Sequence, residues 1–311
     1  MTNLAIEAHG LRKSYGDKVV LDGVDLAVAE GTIFSLLGPN GAGKTTTVQI
    51  LSTLVPADGG SVRVAGHDLD RHPDDVRGAI GVTGQYSAVD KLLTGKENLL
   101  LMAELWHLSR RDGARKAAEL LDRFDLGEAA DRPASTYSGG MQRRLDLAMT
   151  LVGDPRLIFL DEPTTGLDPR SRRAMWQIVR DLVATGVTIF LTTQYLEEAD
   201  QLADRIAVLD HGRLIAEGTA EELKRRIPGG HIALTFADQV RLDAARQLLG
   251  AGIADPDALT LQVPSDGGVR AIRELLARLD ERSIDIDDLS VHTPDLDDVF
   301  LTLTGRQEAT R

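Results

Sequence analysis

The sequence predicts an α/β protein with a mostly parallel sheet covered by helices, an inserted helical subdomain and a small C-terminal α+β domain. Short apolar clusters alternate with segments of helical spacing over most of the chain, and one long stretch has helical spacing alone. Such alternation is typical of parallel sheets whose strands are connected by helices. The predicted strands are residues 33–37, 157–160, 187–191 and 206–209, and the predicted helices are residues 45–54, 170–184 and 197–202.

The helical insertion is predicted from the stretch between residues 94 and 152, where no segment has the composition of a strand. Leucines occur there at positions 99, 100, 101 and 105, and again at 120 and 121. This spacing is typical of helices that bury one face. We therefore predict a helical subdomain at about residues 90–153, inserted in an α/β domain that spans residues 1–228.

A separate C-terminal domain is predicted at residues 231–311, after the linker Pro228-Gly229-Gly230. Its composition differs from the rest, because it carries 8 basic and 15 acidic residues. We expect an accessory or regulatory unit with a two-layer, ferredoxin-like arrangement. Its predicted strands are residues 231–236, 258–263 and 284–291, and its predicted helices are near residues 241–249 and 269–279.

Composition restricts the class of protein. The absence of cysteine excludes disulfides and thiolate chemistry, which fits a reducing cytoplasm. The net charge of −13 is opposite in sign to that of proteins that bind a nucleic-acid backbone, so we expect no nucleic-acid partner. The longest apolar runs fall far short of the roughly 20 residues of a membrane helix, and the first ten residues do not resemble a signal peptide.

A phosphate-binding loop is predicted between the first apolar strand and the first helix. The segment Gly38-Pro39-Asn40-Gly41-Ala42-Gly43-Lys44-Thr45 has two glycines, a lysine and a threonine at the spacing of that motif. Glycines let the backbone N–H groups approach phosphate oxygens, and the helix N-terminus favours the same anion. The alternative is a glycine-rich turn before an ordinary helix. The residues expected to bind nucleotide are Gly38, Asn40, Gly41, Ala42, Gly43, Lys44, Thr45 and Thr46.

Two acidic residues, Asp161 and Glu162, end the apolar strand at residues 157–160. Ligands of α/β proteins bind at this edge of the sheet. We expect Thr45 and Asp161 to hold Mg²⁺, Lys44 to contact the phosphates, and Glu162 to polarise the attacking water. Taken alone, the two acids could instead be solvated loop residues.

A second anion-binding helix start is predicted at Tyr137-Ser138-Gly139-Gly140-Met141-Gln142. This segment resembles the LSGGQ signature of ABC ATPases, with Tyr137 and Met141 departing from it. The resemblance covers residues from about 4 to 225 and implies a P-loop ABC ATPase core that binds ATP and Mg²⁺. It also implies a homodimer in which Ser138, Gly139 and Gly140 of one copy cap the ATP bound by the other.

The same resemblance implies roles for three further residues. Tyr15 is expected to stack on adenine, Gln85 to sense the metal and face the transport partner, and Asp168 to contact the second subunit. Each has a simpler alternative: Tyr15 could be a core aromatic of a strand, Gln85 a surface amide, and Asp168 the N-cap of a helix starting at Pro169.

Residues 82–90, 194–200 and 296–301 look like those of the daunorubicin-resistance type of drug-export ATPase. In most ABC ATPases a histidine at the position of Gln194 senses the γ-phosphate, and we expect Gln194 to take that role. The resemblance implies an ATPase on the cytoplasmic face of the membrane that powers efflux through a separate integral-membrane permease. The alternatives are an ABC ATPase acting on DNA or ribosomes and a module that binds ATP without cleaving it.

Overall fold

The structure, a computed structural model, describes residues 3–85, 87–225, 230–250, 252–265, 268–292 and 295–308. The chain divides into two compact units, Met1–Ala220 and Glu221–Arg311. Most of the linker predicted at residues 228–230 lies outside the described residues, and so does Tyr86.

The first unit contains two sheets. Its strands are β1 (Leu4–Tyr15), β2 (Lys18–Ala29), β3 (Ile33–Leu37), β4 (Gly59–Val64), β5 (His67–Asp68), β6 (Ile80–Thr83), β7 (Leu157–Asp161), β8 (Thr188–Thr193), β9 (Arg205–Asp210) and β10 (Arg213–Gly218). The helices found between them are α1 (Lys44–Leu51), α2 (Pro73–Ala79), α3 (Gly95–Leu105), α4 (Arg110–Arg123), α5 (Gly139–Thr150), α6 (Pro169–Ala184) and α7 (Leu196–Leu202). Helix α8 (Ala220–Arg225) follows β10 and begins at the last residue of this unit.

The larger sheet has six strands in the order β10-β9-β3-β8-β7-β6. All adjacent pairs are parallel except β10 and β9, so the predicted α/β class is confirmed. Strands β3, β7 and β8 are buried along their whole length, as expected for strands covered on both faces. On one face, Phe190 lies with its ring centre 5.6 Å from those of Phe34 and Phe159.

The sequence analysis did not predict the second sheet, which is antiparallel and has the order β2-β1-β4-β5. Strands β1 and β2 alternate buried and exposed residues instead of forming continuous apolar runs. This alternation is the pattern of a sheet with only one face on the core. It produces no continuous apolar run in the sequence, so these strands were not predicted. The buried face packs into the same core as Phe34, Phe159 and Phe190.

Between β6 and β7 the chain forms α3, α4, α5 and short 3₁₀ turns. Helix α3 starts with a complete capping box, in which Thr94 Oγ1 accepts from the Glu97 N–H and the Glu97 carboxylate accepts from the Thr94 N–H. Apolar residues of α3, α4 and α5 share one core with α6 and with the other face of the larger sheet. The predicted helical segment at residues 90–153 corresponds to this part of the chain.

The second unit is a small α+β domain, as predicted. It contains β11 (His231–Thr235), α9 (Gln239–Leu249), β12 (Ile253–Asp255), β13 (Thr260–Pro264), α10 (Val269–Asp280), β14 (Asp288–His292) and α11 (Leu296–Glu308). The strand order β12-β13-β11-β14, with every adjacent pair antiparallel, is the ferredoxin-like βαββαβ arrangement. Strand β12 was not predicted, because three residues are too few to show a pattern. None of the helices described in either unit has both the length and the apolarity needed to cross a bilayer.

Candidate functional site

Four loops meet at one edge of the six-stranded sheet. Residues 38–43 follow β3, Gln85 follows β6, Glu162 follows β7, and Gln194 follows β8. These four strands run parallel, so their carboxyl ends lie on the same side. This is the edge at which open α/β sheets bind their ligands.

The loop after β3 can exist only with glycine at two of its positions. A Cβ atom added to Gly38 would lie 2.3 Å from the backbone oxygen of Leu209. Gly43 has φ +112°, and a Cβ there would lie 2.7 Å from the Leu21 side chain. Helix α1 begins directly after Gly43. The loop is therefore a tight backbone cradle at a helix N-terminus, as phosphate binding requires.

Substituting Gly38 with alanine should lower the melting temperature and remove nucleotide binding, because the new methyl group overlaps backbone that cannot easily move. Differential scanning fluorimetry and calorimetric ATP titration measure the two effects. Gly78→Ala on α2 is the matched control, since a Cβ there meets no atom within 4 Å. We expect that variant to be as stable as wild type or slightly more so. A Gly38→Ala protein with wild-type stability and ATP affinity would contradict the cradle geometry.

Lys44 is buried at the first position of α1. Its Nζ donates to the backbone oxygens of Gly38 at 2.8 Å and Pro39 at 3.1 Å, and it lies 3.5 Å from Oε1 of Glu162. Burial lowers the pKa of the Lys44 ammonium, while the Glu162 and Asp161 carboxylates act against this shift. A phosphate group bound in the cradle would favour the charged form of Lys44 further.

Asp161 and Glu162 reach the same edge of the sheet because the strand ends between them. Asp161 is the last residue of β7, and Glu162 adopts a left-handed backbone with φ +50°. This conformation costs a residue other than glycine about 1 to 3 kcal/mol. Two hydrogen bonds hold the Glu162 N–H, to the backbone oxygen and to Oγ1 of Thr192, at 3.1 Å and 3.2 Å. Because Glu162 does not continue the extended strand, its carboxylate is not directed to the face opposite that of Asp161, as it would be in a strand.

Oxygen ligands suited to Mg²⁺ lie together at this edge. Thr45 Oγ1 donates to Asp161 Oδ1 at 3.3 Å, and Thr192 Oγ1 donates to the same oxygen. A hydroxyl and a carboxylate are the hard ligands that Mg²⁺ prefers, and the ion usually keeps several waters besides. Thr45 and Asp161 therefore carry donor atoms that suit this ion.

A cavity of about 350 Å³ connects these loops. Lys18 and Val20, both on β2, line it and were not predicted. Gln194 is half-buried beyond the end of β8 and does not line it in the described structure. The full set of lining residues is Lys18, Val20, Asn40, Gly41, Gly43, Lys44, Thr45, Thr46, Gln85 and Glu162.

Tyr15 ends β1, and the residue is 48% exposed, so the alternative of a core aromatic is wrong. It pairs across the hairpin with Lys18, which does line the cavity. Lys13 Nζ lies 5.4 Å from the centre of the ring. The side chain of Tyr15 is therefore accessible to a ligand, and its stacking on adenine stays a prediction.

Residues 138–140 lie at the start of α5 and, in the described structure, do not line the cavity. Ser138 is the N-cap, accepting from the Met141 N–H at 3.3 Å. A Cβ on Gly140 would lie 2.7 Å from Ser171 Oγ, so this helix start contacts α6. Asp168 caps α6 by accepting from the N–H of Ser171 and, at 2.6 Å, from its hydroxyl. These bonds hold the pKa of Asp168 below its usual value.

Two buried charged residues of the site were missed by the sequence analysis. The guanidinium of Arg143 donates to backbone oxygens of Gly84, Asp161 and Pro163, around the predicted site residues. In the sequence, the indication of this ion pair was an arginine directly after the predicted signature segment, residues 137–142, with an aspartate three residues later.

Glu198 on α7 is the second of these residues. Its Oε1 accepts from Thr164 Oγ1 at 2.8 Å and from Trp176 Nε1 at 3.1 Å, and burial raises its pKa. These contacts fasten the helix that follows Gln194 to the loop that follows Glu162. In the sequence, Glu197 and Glu198 are adjacent acids on a short predicted helix, which is typical of a solvent-exposed face. The burial of Glu198 was therefore not predicted.

Comparison with known proteins identifies the family. The sequence profile described as "ABC transporter" matches residues 21–165. A daunorubicin resistance ATP-binding protein, DrrA2, of Streptomyces coeruleorubidus is 50% identical over 99% of this chain and 97% of its own length.

The chain belongs to the ABC transporter family.

Other relatives agree with this assignment. The daunorubicin/doxorubicin resistance ATP-binding protein DrrA of Streptomyces peucetius is 52% identical, over 97% of this chain and 92% of its own. Nod factor export ATP-binding protein I of Sinorhizobium fredii is 37% identical over 98% of this chain and 88% of its own. A solved ATP-binding subunit of an ABC transporter superposes with a TM-score of 0.64 at 29% identity, covering 72% of this chain and 93% of the other.

The resemblance stated from the sequence is thereby confirmed, and so are the P-loop ABC fold and the activity. This ABC protein binds nucleotide and is an ATPase.

Proposed function

We propose that this ABC ATPase hydrolyses Mg·ATP to power the export of drugs or other hydrophobic compounds through a separately encoded membrane permease. The observation that carries the proposal is that Lys44, Thr45 and Glu162 line one cavity, with Asp161 bonded to Thr45. The chain is also similar over almost its whole length to daunorubicin resistance ATP-binding proteins.

The cradle and Lys44 bind the phosphates of ATP. Lys44 exchanges its bonds to the Gly38 and Pro39 carbonyls for bonds to phosphate oxygens, which are charged and therefore stronger acceptors. Asn40, Gly41, Ala42, Gly43 and Thr46 complete the cradle. Tyr15 stacks on the base at the exposed side, next to Lys18.

Thr45 and Asp161 hold Mg²⁺, with Gln85 at the edge of the cavity as a further ligand. When bound, the ion neutralises charge on the phosphate oxygens. Glu162 accepts a hydrogen bond from the attacking water and orients it, and its strained backbone aims the carboxylate into the cavity. Catalysis is then mainly positioning and charge stabilisation.

A second copy of the chain completes the site. Ser138, Gly139 and Gly140 form an exposed or half-exposed helix start that does not line the cavity of the chain described here. A two-fold dimer brings this helix start to the partner's ATP, with Asp168 and α6 beside the contact. Ser138 and the backbone N–H groups then stabilise the γ-phosphate from the opposite side.

Gln194 senses the γ-phosphate through its amide NH₂. We expect Gln194→Ala to lose at least about tenfold in kcat, or about 1.4 kcal/mol of transition-state stabilisation. Gln194→His should stay active but acquire a pH dependence between about pH 6 and 8, where imidazole titrates and glutamine does not. Steady-state kinetics of the three forms across that range test the role. Full activity of the alanine variant with unchanged ATP affinity would mean that Gln194 only supports its loop.

We propose that the C-terminal domain, predicted at residues 231–311, supports dimerisation or coupling. The acidic composition of this unit makes it unsuited to binding phosphate. We propose that the whole protein lies on the cytoplasmic face of the membrane, held there by the permease.

Gentle purification of the protein from native membranes tests the proposed function. We expect a polytopic membrane protein to co-purify, and hydrophobic compounds to stimulate ATP hydrolysis by the complex. Glu162→Gln in the same preparation is the control for hydrolysis by this chain. A protein that stays in the soluble fraction and sediments with nucleic acid would contradict the transporter role.

A further inference from the structure

Arg143 and Asp146 form a buried ion pair on α5. Arg143 Nη1 lies 3.2 Å from Asp146 Oδ2, and the two side chains are only 11% and 3% exposed. A buried ion pair contributes little net stability, because desolvation offsets the attraction, so stability alone does not explain it. Its contacts on either side indicate what it does.

The guanidinium of Arg143 holds the backbone on both sides of Glu162. Nη2 donates to the backbone oxygen of Asp161 at 3.2 Å, and Nε donates to that of Pro163 at 2.9 Å. The residue between them is the one with the left-handed backbone. The planar fork of an arginine side chain can satisfy two such acceptors at once, whereas lysine carries a single point charge.

The pair also holds the loop that contains Gln85, again at two points. Arg143 Nη1 donates to the backbone oxygen of Gly84 at 2.9 Å. Asp146 Oδ1 accepts from the Ala88 N–H at 3.0 Å. One ion pair therefore bonds to backbone on both sides of Glu162 and on both sides of Gln85.

The two charges depend on each other. Burial raises the pKa of Asp146 and lowers that of Arg143, and each partner acts against the other's shift. Removing one charge leaves the other buried without compensation and releases its backbone contacts. The same guanidinium thus bonds to the backbone of Gly84 and to the backbone of Asp161 and Pro163.

We propose that Arg143 and Asp146 are positioning residues that couple the backbone at Gly84 and Ala88, on either side of Gln85, to the catalytic geometry of Glu162. The loop position is transmitted through the guanidinium to the carbonyls on either side of the residue that orients water. This inference rests on the roles proposed above for Gln85 and Glu162.

The test uses the full-length chain in membrane vesicles from native cells whose own gene is replaced by each variant. The variants are Arg143→Gln, Arg143→Lys, Asp146→Asn and Glu162→Gln. Arg144→Lys is the matched control, because Arg144 is on the same helix and donates to the Phe124 and Asp125 backbone oxygens, away from the site. The measurements are kcat, ATP affinity, and hydrogen exchange by mass spectrometry on the purified chains.

We expect Arg143→Gln and Asp146→Asn to lower kcat at least tenfold while ATP affinity changes less than threefold, and Arg143→Lys to have an intermediate kcat. Amide exchange should rise in peptides covering residues 84–90 and 161–165 and stay unchanged in those covering residues 38–45 and 231–250. A general loss of folding would raise exchange everywhere. Arg144→Lys should keep at least half of wild-type kcat and the wild-type exchange pattern.

Two outcomes overturn the inference: wild-type kcat in both Arg143 variants, or a loss of kcat in step with ATP affinity and with increased exchange throughout the chain. If Arg143→Gln does not fold, Arg143→Lys decides by the same criteria, since it keeps the charge. Glu162→Gln separates this inference from the proposed function. If Glu162→Gln hydrolyses ATP normally, the proposed role of Glu162 is wrong. If Glu162→Gln is inactive while the Arg143 and Asp146 variants keep wild-type kcat, the role of Glu162 stands and the coupling is wrong.

Discussion

Replacing Lys44 with alanine should reduce ATP hydrolysis about a hundredfold or more and sharply weaken ATP binding. Lys44 lines the cavity and begins α1, and its Nζ lies 3.5 Å from Oε1 of Glu162. The substitution removes the positive charge proposed to contact the phosphates. It also removes the ammonium group that lies beside the Glu162 carboxylate. Isothermal titration with ATP and a phosphate-release assay measure the two effects.

Lys96→Ala is the matched control for this experiment. Lys96 is on α3, and it is half-exposed with an acidic neighbour 4.0 Å away, a type of surface pair that contributes little. We expect ATP binding and hydrolysis by that variant to equal those of wild type. Unchanged ATP affinity in Lys44→Ala would refute the assignment of the phosphate cradle.

Replacing Glu162 with glutamine should lower hydrolysis by about a hundredfold or more while ATP binding persists. The amide keeps the shape of the side chain and its contact with Thr165, but it cannot act as a base toward water. We propose that hydrolysis of ATP separates the two copies of the dimer, so the ATP-bound dimer of this variant should accumulate. Size-exclusion chromatography with and without Mg·ATP, together with phosphate release, tests both expectations.

Glu119→Gln is the matched control. Glu119 is exposed on α4, and its substitution removes the same charge from the chain as Glu162→Gln does. It should hydrolyse ATP normally and show no increase in dimer. A Glu162→Gln protein that remains monomeric in Mg·ATP would argue against the ATP-bound dimer, and one with wild-type turnover would argue against the catalytic role of Glu162.

The short linear motifs were predictable because each is complete within a few residues. Residues 38–45 contain the glycines, the lysine and the threonine of the cradle, and residues 157–162 contain both a buried strand and its terminal acids. The backbone geometry of this segment was not predictable in the same way. The positive φ of Glu162 is held by Thr192 on the neighbouring strand, which is 30 residues away in sequence.

Hydrophobic patterns predicted the central parallel strands but not the antiparallel sheet of β1, β2, β4 and β5. A strand buried on both faces gives a continuous apolar run that stands out in sequence, as in β7. A strand with one face on the core alternates, and short alternating segments resemble loops. The exposed ring of Tyr15, at the end of such a strand, could therefore be placed only once the sheet was known.

The sequence by itself determined the α/β class, the cradle, the acids of β7, the signature segment and the membership of the ABC family, because these depend on local spacing and on residue type. Only the tertiary structure decided that residues 138–140 do not line the chain's own cavity, and that Arg143 and Asp146 bond to backbone around both Gln85 and Glu162. Those contacts join residues up to 59 positions apart. The packing of α5 against the strand ends creates them, and no local pattern in the sequence encodes that packing.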